Sequence, residues 1–157
     1  MPRLPRLVPL LPLLLAGCVE SSKPTPLSRS LYARLGGEEG IKRIVDDFVA
    51  DVAENKDIRP QHKKHFVSGD VAGLKRKLVE QLCEATGGPQ KYTGKTMREA
   101  HKGLGINDKD FNALVASLKR ALKKNNVGEA EQKELLDILA PLKGEVVEPA
   151  RPDAGEP

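Results

Sequence analysis

At 157 residues the chain is long enough for one domain with tails, and 39% apolar against 31% charged residues is the balance of a soluble globular protein. The formal charge of +4 includes Arg3 and Arg6, which lie in a segment expected to be cleaved; removing these two from 26 basic residues leaves 24 against 22 acidic. Lysines cluster at Lys63-Lys64, Lys75-Arg76-Lys77 and Lys119-Arg120 with Lys123-Lys124, but acidic residues interleave and no aromatic stacking platform accompanies them, so no nucleic-acid partner is expected.

The chain opens with a basic start, Arg3 and Arg6, an apolar run from Leu7 to Leu15 broken by Pro9 and Pro12, and Ala16-Gly17 before Cys18. The run is too short to span a bilayer, which takes about twenty residues, so residues 1–17 read as a signal peptide. Leu15-Ala16-Gly17-Cys18 resembles a bacterial lipobox, which implies acylation of Cys18 and an exported lipoprotein on a cell-envelope membrane, facing the periplasm or the exterior; an ordinary secretory signal is the alternative. Val19 after the cysteine, by resemblance to Gram-negative lipoproteins, permits transfer to an outer membrane. Residues 18–29, with serines, prolines and a lysine, have the composition of a flexible tether, and the proline-bearing tail 148–157 of a disordered one. With Cys18 acylated, Cys83 is the only free thiol, in a helical pattern that suits a buried, inert group.

From Leu31 to Val147 the periodicity is helical throughout, which predicts an all-α domain over residues 30–147. Gly36-Gly37 separates a short helix at Leu31 to Leu35 from a first long helix whose apolar face is Ile41, Ile44, Val45, Phe48 and Val52. Pro60 and the polar run His62 to His65 break the pattern and place Phe66 in a turn. A second long helix follows the caps Ser68-Gly69-Asp70, carries Val71, Leu74, Leu78, Val79 and Leu82, and stops at Gly87-Gly88-Pro89. A third begins at the cap Asn107 with Phe111, Leu114, Val115, Leu118 and Leu122, and a fourth holds Leu135, Leu136, Ile138, Leu139 and Leu142. Only Tyr32, Phe48, Phe66, Tyr92 and Phe111 are aromatic, so the core is aliphatic or is completed by something the chain does not encode. A plain four-helix bundle would connect its helices with two to eight residues; Pro89 to Gly105 is longer, polar and glycine-bearing, and suggests a segment that wraps something.

Within that segment, Tyr92-Thr93-Gly94 precedes Met97-Arg98-Glu99-Ala100-His101-Lys102-Gly103-Leu104-Gly105-Ile106, which sets one histidine at the end of a short helix. Imidazole is the commonest ligand for a transition metal or haem iron. The stretch resembles the proximal side of a group 1 truncated haemoglobin, and Gly36-Gly37, Phe66 and Gly87-Gly88 fall in matching order over residues 30 to 147. The resemblance implies a two-over-two helical sandwich around haem b, iron protoporphyrin IX, a large apolar body that would complete an aliphatic core. It assigns His101 as the iron ligand, its second ring nitrogen donating to a backbone carbonyl. Met97, one turn earlier, is expected against the porphyrin edge; Tyr92 and Lys77 at the propionates, a solvated lysine being the alternative for Lys77; and Phe66 and Phe48 against the macrocycle. The pocket partner is a diatomic gas: oxygen, carbon monoxide or nitric oxide.

The opposite wall departs from the family. Many members carry a tyrosine and a glutamine where this chain has Val49 and Leu78, and Leu74 and Leu82 are aliphatic as well, so no hydrogen-bond donor faces a bound gas. A charge-assisted bond of roughly 1.5 to 3 kcal/mol is then lost, which lowers oxygen affinity by about one to two powers of ten. His62 and His65, among lysines, read as solvent-facing, with entry into the pocket as the alternative. The leading reading is therefore a membrane-tethered haem protein that binds a gas. Haem-dependent redox chemistry on nitric oxide or peroxide, served by a separate reductase, and a haem-free helical interaction lipoprotein are the competitors; no oligomeric state is implied.

Overall fold

A computed structural model of the protein describes residues 29–148. The cleavage site, Cys18 and its acylation, the tether up to residue 28 and the tail from 149 lie outside the described residues. Among the described residues no helix is long and apolar enough to cross a membrane.

The described chain is helical, with no strand. Helices α1 (Leu31–Arg34), α2 (Gly37–Glu54), α3 (Pro60–Val67), α4 (Val71–Ala85), α5 (Met97–His101), α6 (Asp108–Lys124), α7 (Glu129–Leu139) and α8 (Lys143–Val146) follow in order, with a 3₁₀ turn at Ala140–Leu142 between the last two. Gly36, at φ +87°, turns α1 into α2 in the left-handed region that glycine adopts without penalty. A Cβ on Gly40 would come within 1.9 Å of the Leu35 carbonyl oxygen, so the α1–α2 corner closes only around a bare backbone. At the far end of α4, Gly87 at φ +86° and the Gly88 N–H bonded to the Cys83 carbonyl at 2.7 Å stop the helix.

Helix α2 is the hub, packed against α4 on one side and α6 on the other. Its three-and-four spacing puts Ile41, Ile44, Val45 and Val49 in the interior, where they meet Leu82 and Cys83 of α4, Leu122 of α6 and Leu135 of α7, while Val52 packs with Ile58 and Ala113. Each such aliphatic side chain contributes about 1.5–3 kcal/mol on burial. Burial also pushes the Cys83 thiol up to about 11, so it is protonated and inert at neutral pH. Ion pairs tie the hub at its rim: Arg120 holds Asp51 at 2.6 Å and Lys124 holds Asp47 at 2.6 Å.

Two expectations change. Phe66 does not sit in a turn. Pro60 takes the first position of a helix, where its missing N–H costs nothing, and α3 runs on to Val67 with Phe66 inside it, edge-on to Phe48 at 6.0 Å. The last helix is shorter than its apolar pattern, because Pro141 cannot continue it and Leu142 falls in the 3₁₀ turn.

Candidate haem cavity

The core has a hole in it. A cavity of about 410 Å³ opens between α4 and α6, floored by α2 and α3 and closed at the far side by α5, α7 and α8. Around it Leu74, Leu78, Phe111, Leu114, Leu118, Leu139 and Leu142 are only half-buried, as is Phe48 of α2, whereas Ile44 and Val45 behind them are fully buried. Apolar side chains left uncovered on the inside of a small domain are a deficit that an apolar body of matching size would relieve.

The residues singled out from the sequence, His101, Tyr92, Met97, Lys77, Phe66, Phe48, Leu74 and Leu78, all wall this one cavity. His101 ends α5. Five residues make a helix that cannot stand alone, and α5 is built from its ends: Thr96 caps it, accepting the Glu99 N–H at 3.2 Å, while the Glu99 carboxylate accepts the Thr96 N–H at 3.0 Å. His101 Nδ1 lies 2.7 Å from the Met97 carbonyl oxygen. A carbonyl only accepts, so Nδ1 carries the proton and donates, and the lone pair stands on Nε2, free to bind a metal.

The rim beside α5 is polar. Lys77 donates to Glu80 at 3.0 Å and to the Thr93 hydroxyl, and the Tyr92 hydroxyl donates to the Lys95 carbonyl oxygen at 2.8 Å. Lys77 is thus neither free in solvent nor fully committed. The α4 wall supplies Leu74, Leu78 and Leu82, while α2 presents Ile44, Val45 and Phe48 to the cavity; Val49 is buried in the core cluster and does not wall it.

Sequence reasoning missed Gln81, and held entry of His62 into the pocket only as the alternative. Gln81, one turn past Lys77, walls the cavity and donates to the Met97 sulfur at 3.2 Å, a weak acceptor. Its signal was the i+4 spacing from Lys77. His62 was expected in solvent and is instead 6% exposed, facing the cavity wall beside Asp110. His65 stays exposed, as its place among lysines suggested. The His62 Nε2 stands 3.6 Å from the Asp110 carboxylate and has no hydrogen-bond partner. Burial depresses the His62 pKa, with the Asp110 charge opposing, so the ring is neutral at pH 7. Asp110 closes the N-terminal cap of α6 with Asn107 and takes two bonds from Arg59, one of them at 2.9 Å. Burial alone would raise its carboxyl; the guanidinium and the Asn107 N–H outweigh that and hold it below the usual carboxylate range.

Among known proteins, the family described as bacterial-like globins matches residues 30–148. The group 1 truncated haemoglobin of Mycolicibacterium paratuberculosis is 33% identical over 117 residues, which span 74% of this chain and 83% of that protein. The solved truncated haemoglobin of Tetrahymena pyriformis in its Fe(III) form superposes with a TM-score of 0.70 at 27% identity, covering 77% of this chain and all of that one. The chain is a truncated globin. The 2/2 haemoglobin of Synechococcus sp. PCC 7002, solved in the cyanomet state with covalently attached haem, superposes at 0.68 with 26% identity over 76% of this globin and 98% of its own length.

Haem is the cofactor of truncated globins, and the cavity of this one suits it. Of the histidines at its wall, His101 has its Nδ1 engaged by a backbone carbonyl, and with apolar walls and a lysine and a tyrosine at one rim the lining matches the distribution of chemistry on iron protoporphyrin. The two-over-two helical sandwich follows from the same neighbours.

Proposed function

We propose that this truncated globin holds haem b through His101 and binds a diatomic gas on the opposite face, and that it does so tethered to a cell-envelope membrane by a lipid on Cys18. One observation carries the site: His101 lines the apolar cavity with its Nδ1 engaged by the Met97 carbonyl, which leaves Nε2 as the nitrogen for a metal. Haem iron, when bound, supplies the coordination position that a gas occupies. Met97 and Ala100 would pack beside His101, Phe48 and Phe66 would pack against the macrocycle, and Lys77 and Tyr92 at the polar rim would meet the propionate carboxylates.

The opposite face is closed by Leu74, Leu78 and Leu82. Leu78 carries no donor for a gas with anionic character, and the Gln81 amide on the same helix is turned to the Met97 sulfur, so with no other donor reaching the gas oxygen loses about one to two powers of ten in affinity while carbon monoxide and nitric oxide lose less. Leu74, Leu78 and Leu82 supply no acid for peroxide chemistry, which needs one placed over the iron. Binding is therefore favoured over redox catalysis. The membrane tether is supported by the Leu15-Ala16-Gly17-Cys18 motif behind a short apolar run.

The test is the absorption spectrum of residues 19–157 after haemin addition, oxidised, dithionite-reduced and under carbon monoxide, beside His101→Ala. A Soret band that shifts with carbon monoxide in the native chain and is lost or altered in the variant is the expected result. A band indifferent to His101 defeats the assignment. Metabolic labelling with a fatty acid, lost in Cys18→Ser, tests the anchor.

A further inference from the structure

We infer that Glu148 is a positioning residue for the iron ligand: its carboxylate latches the loop that follows His101, and so sets the pose of α5 against the cavity. The inference rests on His101 being the haem ligand, and goes beyond it in naming what holds that ligand in place.

Helix α5 has only five residues, and its flanks add Ala100 N–H to Thr96 O and Lys102 N–H to Arg98 O. Its orientation must come from what it is attached to. The packing partner it has is the C-terminal segment, α8. There Val146 is buried and walls the cavity together with Leu142. Two residues on, Glu148 bonds the loop three times. Its carboxylate accepts the N–H of Gly103 through one oxygen and that of Gly105, at 3.2 Å, through the other, and its own N–H donates to the Ile106 carbonyl at 2.9 Å.

Gly103 and Gly105 both sit at positive φ, +80° and +63°, so the loop takes a left-handed path in which successive N–H groups converge. A carboxylate is the side chain that satisfies two such donors at once. On its other side the loop is held by Arg59, whose guanidinium donates to the Gly105 carbonyl at 2.6 Å and is itself fixed on buried Asp110. The turn is only three residues from His101, whose carbonyl accepts the Leu104 N–H at 3.1 Å. Releasing Glu148 therefore frees the C-terminal end of α5, while the Thr96 cap still holds the other.

The experiment compares the native chain with Glu148→Gln, Glu148→Ala and the control Glu145→Gln, an exposed position on α8. Amide hydrogen exchange is followed on the haem-free proteins. On the haem-loaded, ferrous, gas-free proteins, the iron–histidine stretching frequency and the rate of haem transfer to apomyoglobin are measured. The expected result is faster exchange at Gly103 and Gly105 with α2 and α6 unchanged, a displaced iron–histidine frequency, and haem transfer faster by about tenfold in Glu148→Ala, the glutamine variant lying between. Glu145→Gln should match the native chain. An iron–histidine frequency identical in native and Glu148→Ala proteins overturns the latch, whatever the retention does. Unaltered exchange at Gly103 and Gly105 overturns it without reference to haem. Failure of the native chain to show a histidine-bound iron would instead defeat the proposed function.

Discussion

The two walls of the cavity are built by different physics. The α5 wall is a short helix and a glycine loop held by named polar bonds: the Thr96–Glu99 box, the Met97 carbonyl on His101, Arg59 on Gly105, and Glu148 on Gly103 and Gly105. The α4 wall is a stretch of a fifteen-residue helix that offers Leu74, Leu78 and Leu82, positioned by packing on the α2 hub. Directional bonds fix an orientation to a fraction of an ångström, which a metal ligand needs. Nondirectional packing fixes a shape, and the leucine stretch of that wall carries no polar group, while Lys77 and Gln81 of the same helix lie toward α5 and its flanking loop.

The comparison breaks most sharply at Asp110. Asp110→Asn keeps the volume but removes the charge that Arg59 and the α6 cap share, and should lower stability by about 2–3 kcal/mol in urea melts, with Gly105 loosened. On the leucine stretch, Leu78→Gln should restore a donor: oxygen dissociation slows by about tenfold, read by stopped flow, while carbon monoxide binding changes by less than about threefold. A donor that leaves oxygen dissociation unaltered would show that Leu78 does not face the gas. Thr96→Ala, which deletes one half of the α5 cap, should lower stability by about 1 kcal/mol and speed haem loss without touching the carbon monoxide spectrum.

The smallest effect concerns acid. Because His62 is depressed in the fold, the unfolded chain binds the proton more readily, so the stability tied to its neutral ring is present above about pH 6.5 and is lost as pH falls below that value. Asp110, also depressed, adds a loss in the same direction at lower pH. His62→Gln should flatten the decline of the melting temperature between pH 7 and 5; an unchanged slope would place the proton elsewhere.

Much of this was legible in the chain. The a-priori helices α2, α4 and α6 appear where the three-and-four spacing put them, and the Asn107 cap and the Gly87-Gly88 stop fall on their residues, because these are local signals carried by neighbours in sequence. His101, which lines the cavity, was singled out by its setting between Met97 and Gly103. The α3 helix was not, since His62 to His65 reads as a polar loop until the fold turns His62 inward. Glu148 was assigned to the tail, because nothing in a glutamate before a proline-bearing stretch announces two amide donors forty-odd residues upstream.

The division follows from the range of the interactions. Sequence alone determined helix content, helix ends, the aliphatic character of Leu74 and Leu78, and a histidine stopped by glycines, for all of these depend on residues within a turn or two of one another. Only the tertiary structure decided which apolar faces stay uncovered around the cavity, that Val49 belongs to the core rather than to the site, that His62 is buried beside Asp110, and that Arg59 and Glu148 grip the His101 loop from opposite sides. Those are contacts between segments about 40 or more residues apart in the chain, closed by burial of the α2 hub, and no local pattern encodes them.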